Sequence, residues 1–177
     1  MIKKQIINEE ILKSIESNYV YSNEPINRFK KLNEPENIKL QLENLKNKIS
    51  LIDNCDLKNN AKKMVFSDGN INSQIMIVGE GPGEKEDEIG KPFAGDTGNL
   101  LDKMLSAINL NRTNVYVTNV INYRPPHDRK PSIAEINNYS KYLREHILII
   151  NPKILIIMGS TAMEALVGNN IKISKDR

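Results

Sequence analysis

IMIVGEGPGEKEDEIGKPFAGDTGNLLD, residues 75–102, is the stretch whose reading decides the fold. Its apolar run Ile75, Met76, Ile77 and Val78 breaks into a turn with glycine at 79, 81 and 83, the pattern of a buried strand ending in a tight loop. The loop then carries Glu84, Glu86, Asp87 and Glu88, passes Pro92 and Phe93, and enters a helical pattern with Leu100, Leu101, Met104, Leu105 and Ile108 apolar. In open α/β sheets ligands sit at the carboxyl ends of the strands, so this loop is the place to look for chemistry.

Outward from that stretch the same unit recurs. Residues 115–118 lead through a proline-rich loop to a helix at about 132–150, and residues 154–158 lead to a helix at 160–167. In the middle helix the expected stripe is Ile133, Ile136, Leu143, Ile147 and Ile150, with Ser140 where another apolar residue belongs. At the last turn Gly159 reverses the strand, and Ser160 or Thr161 is suited to cap the helix. Alternating strands and helices predict an α/β fold of three layers, α/β/α, with a parallel sheet of which three strands are evident. Right-handed crossovers bring the loops 79–95, 119–131 and 159–161 to one rim.

Before the sheet, Ile38, Leu42, Leu45, Ile49 and Ile52 form the apolar stripe of a helix that packs on the domain. Residues 1–35 read as a short helix followed by a linker with Pro25 and Pro35, and residues 36–177 as the α/β domain. The 177 residues, 39% of them hydrophobic, suffice for one core. A formal charge of +3 does not by itself demand a nucleic-acid partner, so local charge has to decide. The single cysteine, Cys55, excludes an internal disulfide and a complete cysteine-ligated metal site. No stretch reads as a signal peptide or a membrane span, which makes the cytoplasm the expected location, and a monomer is the expected state. After Gly168, Ile171–Ser174 alternates like a beginning strand without a partner following, so the domain is expected to be incomplete at its C-terminus.

The rim offers several chemistries. The GEGPG loop lacks a Gly-Lys-Ser/Thr sequence and has Pro82 where a phosphate cradle uses an N–H, which speaks against a nucleotide site. Its carboxylates either hold a water for attack or form a solvated acidic loop. Phe93 is either a ring for a planar ligand to stack on or a core residue. Asn119, at the end of its strand, either reads the edge of a heterocycle with its donor and acceptor or caps a turn. Arg124, Arg129 and Lys130, on proline-stiffened backbone, either contact a phosphate backbone or are simply solvated.

GEGPG with Glu86 and Asp87, then Gly90, Pro92, Phe93, Gly95, Gly98, Leu100, Leu101 and Asp102, then VYVTNV, YRPP, Arg129, Pro131 and NPKILIIMGSTAMEAL resemble family 4 uracil-DNA glycosylases over roughly residues 50–177. The resemblance implies a four-stranded parallel sheet and a base excision repair enzyme that acts on uracil in DNA by flipping the nucleotide out of the helix. It assigns Glu80 and Gly81 to the uracil pocket and the attacking water, Glu86 to a further pocket acid, Phe93 to stacking on uracil, and Asn119 to its Watson–Crick edge. Uracil-containing DNA is the implied partner.

Two departures accompany it. The family's [4Fe–4S] cluster sits on four cysteines, and the alignment of motifs puts those at Ile52, Cys55, Tyr123 and Tyr139, so only Cys55 survives. A cluster needs thiolates, and none is therefore expected here. The family's His-Pro motif, whose histidine stabilises the departing uracil anion, has no counterpart in the sequence, where His127 and His146 lie elsewhere. Removing a donor of that kind costs about 100- to 1000-fold in rate. The expectation is thus a uracil-DNA glycosylase with weak or lost activity, in which Glu80 and Glu86 position water. The alternative is a non-enzymatic remnant, or a DNA-binding fragment of a split glycosylase that pairs with a separate C-terminal piece.

Overall fold

The computed structural model describes residues 35–52 and 56–168, all within the compact unit Leu32–Arg177. The expectations for residues 1–34, for Cys55 and for a strand at 171–174 lie outside the described residues. In chain order the elements are α1 (Pro35–Ser50), α2 (Asp56–Asn60), β1 (Ser67–Gly69), β2 (Ile75–Gly79), α3 (Glu84–Ile89), α4 (Asp96–Ala107), β3 (Tyr116–Asn119), α5 (Ile133–Ile150), β4 (Ile154–Ile157) and α6 (Ser160–Val167).

The sheet has four strands in the order β1-β3-β2-β4. β2 runs parallel to both β3 and β4, which are the three strands legible in the sequence. The fourth is different from the expected one: β1 pairs antiparallel with β3, Asp68 opposite Val117. Three residues, Ser-Asp-Gly, carry no alternating pattern, so β1 is defined by the neighbour it finds rather than by its own side chains.

Alternation on β2 and β3 sends successive side chains to opposite faces. Ile77, Val115 and Val117 meet Leu101 and Leu105 of α4 on one face. Met76, Val78 and Tyr116 meet α1, α5 and α6 on the other, where Leu45, Ile49, Ile136, Leu143 and Ala162 are buried. This is the three-layer arrangement, and each fully buried aliphatic side chain contributes roughly 1.5–3 kcal/mol to it.

Two helical stripes differ from expectation. Of the stripe expected on α4 only Leu101 and Leu105 are buried, while Leu100, Met104 and Ile108 are exposed. On α5 Ile133 is exposed, and the buried face is completed instead by Tyr139 and His146. Ser140 is tolerated half-buried because its hydroxyl donates to the Ile136 carbonyl at 2.6 Å. The acidic loop also contains a helix that periodicity did not reveal, since six residues give too few turns for a stripe. α3 starts where Glu86 reaches back to the Gly83 N–H and ends at Gly90, whose φ of 85° lets the chain reverse.

Candidate functional site

Parallel pairing brings the carboxyl ends of β2, β3 and β4 to one rim. The first two expected loops line a cavity of about 350 Å³ there together with Met158 just past the end of β4, and the third touches it only through the bond from Thr161 to Glu80. Gly79 closes β2 opposite Asn119 of β3. A Cβ placed on Gly79 would lie 2.5 Å from Cζ of Phe93 and 2.6 Å from Oδ1 of Asn119. The ring and the amide oxygen thus converge on one point above the strand end, and only glycine leaves that point open.

Phe93 reaches it from a strained backbone. Its φ is 52°, in the left-handed region that costs a bulky residue about 1–3 kcal/mol and persists only where surroundings impose it. Gly98 is one of those surroundings, since a Cβ there would stand 1.8 Å from the Phe93 carbonyl oxygen. The ring packs against the Ile77 and Leu101 cluster while half-buried, so core and pocket roles coincide in one side chain. Asn119 is buried, and among the described residues its amide takes no hydrogen-bond partner. A donor and an acceptor, nearly shut from water and facing a cavity, favour a ligand edge that supplies the complement.

The two acids named from the sequence both line the cavity and are held differently. Glu86 is buried and accepts three backbone N–H groups, from Gly83 at 3.1 Å and from Ala94 and Gly95 at 2.8 Å each. Glu80 is half-buried, and its Oε2 accepts the hydroxyl of Thr161 at the start of α6. Thr161 therefore does not cap its helix. The residue in the cap place is Gly159, which has no side chain to offer. The Glu80–Thr161 bond joins the first rim loop to the third, a link that separation by 81 residues hides from any local pattern. Gly81 packs on Ile121, whose Cγ1 would be 2.6 Å from a Cβ there. Glu84 and Glu88 are exposed, as a solvated loop would have them, whereas Asp87 is buried and accepts the Lys62 and Lys63 N–H groups.

In the basic loop, Arg124 forms a two-bond pair with Asp128, at 2.7 and 2.8 Å. That pair raises the guanidinium pKa and holds the carboxyl below the usual range. Arg129 is likewise forked onto Glu135 at 2.8 and 2.7 Å, and Lys130 is exposed beside it. His127 and Asp128, at φ of 56° and 53°, are consecutive left-handed residues in this loop. Asp128, Arg129, Pro125 and Pro131 line the cavity mouth.

The three described positions that the family resemblance equates with cluster ligands are packed as core. Tyr123 and Tyr139 are 5% and 2% exposed, and Ile52 packs against the same cluster. None of the three side chains supplies a thiolate, and their volume occupies the place, so this donor set does not fit an iron–sulfur cluster. Among the described residues no group of three or more His, Cys, Asp or Glu side chains converges as metal ligands.

With an α/β sheet and a cavity of this make-up at its carboxyl rim, the comparison with known families is direct: the model of the uracil DNA glycosylase superfamily matches residues 66–175, and the chain belongs to that superfamily. Within it the likeness is to type 4. The chain is 40% identical over 124 residues to the type-4 uracil-DNA glycosylase of Thermotoga maritima, covering 70% of this chain and 65% of that protein. It is 38% identical over 127 residues to the type-4 enzyme of Pyrobaculum aerophilum, covering 72% and 65%, and 39% identical over 110 residues to that of Archaeoglobus fulgidus, covering 62% and 55%. The chain thus spans 55 to 65% of the length of these relatives.

Proposed function

We propose that this chain recognises uracil flipped out of DNA and hydrolyses its N-glycosidic bond. The observation that carries the reading is the convergence of the Phe93 ring and the Asn119 Oδ1 on one point above Gly79. A flat pyrimidine resting on the ring presents its edge to the amide, and uracil and cytosine differ along that edge in donor and acceptor order. Glu80 is the acid suited to hold water, because one of its oxygens is engaged by Thr161 alone. Glu86, with three N–H groups on its carboxylate, shapes the loop around the base. Lys130, with Arg129 and Arg124 beside it, meets the phosphates, and the two arginines exchange carboxylate partners for phosphate on binding.

The test is incubation of a uracil-containing oligonucleotide with the protein, followed by alkaline cleavage at abasic sites. Strand breaks at the uracil position are expected, and their absence at large protein excess overturns the hydrolysis. The protein is read as free of an iron–sulfur cluster because tyrosine and isoleucine fill three ligand places. Iron bound in stoichiometric amount, with a visible charge-transfer band after anaerobic purification, overturns that part.

A second reading, recognition without hydrolysis, is favoured by the engagement of both acids in internal hydrogen bonds. In that case the same oligonucleotide is bound in preference to its thymine counterpart and remains uncut.

A further inference from the structure

We propose that Arg112 is a positioning residue for base recognition, and that with Glu86 it forms a two-sided clamp setting the pitch of the Phe93 ring. The inference rests on the reading of the cavity as a base pocket. Residues 92–95 make a four-residue arch whose polar backbone groups are taken up from opposite sides. The Arg112 guanidinium donates through Nη2 to the Phe93 carbonyl at 2.7 Å and through Nη1 to the Pro92 carbonyl at 3.4 Å. The Glu86 carboxylate accepts the N–H groups of Ala94 and Gly95. A cation on consecutive carbonyls and an anion on consecutive N–H groups match the arch dipole by dipole. The residue held between them, Phe93, is the one in the left-handed region.

Arg112 is itself held. Its Nε donates to Asp102 of α4 at 2.6 Å, and Nη1 lies 3.9 Å from Asp68 of β1. The turn that presents it is stiffened on both sides: the Asn111 N–H donates to the Asn114 side chain at 3.0 Å, and the Asn111 side chain accepts the Thr113 N–H at 2.8 Å. A planar fork reaching two carbonyls is a geometry that lysine does not reproduce. Arg112 stays away from the cavity lining, so it acts on a bound base only through Phe93.

The test uses the full chain labelled with 4-fluorophenylalanine, which gives one fluorine signal for each of Phe29, Phe66 and Phe93, assigned with Phe93→Leu and Phe66→Leu. In Arg112→Gln the Phe93 signal is expected to shift and broaden, while that of Phe66, stacked on His146 in the other cluster, stays in place. Arg112→Lys, which keeps the charge and loses the fork, is expected to give a smaller displacement and serves if the glutamine variant does not fold. For uracil release, KM should rise about 10-fold in Arg112→Gln, with partial rescue in Arg112→Lys. A Phe93 signal unmoved in both variants, or moving only together with that of Phe66, overturns the clamp. If free uracil moves no signal in the parent protein while Arg112→Gln still displaces Phe93, the uracil reading fails and the clamp stands.

Discussion

Asn119 is the residue on which discrimination turns, because it ends a buried strand with its amide facing the cavity and unpartnered among the described residues. Replacing the amide by a carboxylate leaves only acceptors, which suit the exocyclic amine of cytosine and oppose the carbonyl of uracil. Asn119→Asp is therefore expected to lower uracil release by about 100-fold and to narrow or reverse the preference over cytosine, measured with paired oligonucleotides. Gly98 is a second single-residue control. A methyl group 1.8 Å from the Phe93 carbonyl oxygen cannot be accommodated without moving the arch, so Gly98→Ala is expected to destabilise the fold by about 2 kcal/mol or more, read as a lowered Tm. Phe93 and Asn119 were legible as candidates from their places at strand and loop ends. The open alternatives for each could not be closed from the sequence, since whether a ring is core or pocket depends on neighbours far away in the chain.

At the scale of an element, α5 shows how a helix start also fixes the basic loop. Ser132 caps it and Glu135 closes the box, accepting the Ser132 N–H at 2.6 Å, while the same carboxylate takes both guanidinium bonds of Arg129. Loss of the cap hydroxyl in Ser132→Ala is expected to cost about 1 kcal/mol, a fall in Tm of about 2–4 °C. The Arg129 bonds, aided by those of Ser132, lower the Glu135 pKa from 4.5 to about 2. A carboxyl with a depressed folded pKa stabilises above its unfolded value and loses that contribution as pH falls through the folded one. The wild type should thus lose stability between about pH 4.5 and 2, and Glu135→Gln should flatten the melting profile over that window. The stripe of α1, spaced at three and four residues, was readable because its buried face is aliphatic. The aliphatic stripe read for α5 left out Tyr139 and His146, since a ring or an imidazole enters a core only when tertiary partners accept its polar atoms.

Across the whole molecule the sheet's back face is joined by one such partnership. The Tyr116 hydroxyl donates to Ser67 of β1 at 2.8 Å and meets Nε2 of His146 at 2.7 Å, and Phe66 stacks on the imidazole with ring centroids 4.6 Å apart. Burial raises the Tyr116 pKa and lowers that of His146 from 6.5 to about 3, so both stay neutral. The unfolded chain takes up a proton on this histidine below about pH 6.5 and the folded one only near 3, so stability contributed above the first value drains away towards the second. Thermal melts of the parent should show this loss, on the order of a few kcal/mol, and His146→Gln should remove that slope. These ties explain where sequence reading ends. Hydrophobic periodicity, glycine turns and strand–helix alternation, all local properties of the chain, determined by themselves the α/β class, the three parallel strands and the rim at which their loops meet. Only the tertiary structure decided that β1 pairs antiparallel at the edge, that Thr161 serves Glu80 rather than its own helix, and that Arg112 and Glu86 grip the arch of Phe93. Each of those contacts joins groups distant in sequence or satisfies backbone atoms, and neither kind leaves a periodic trace in the order of side chains.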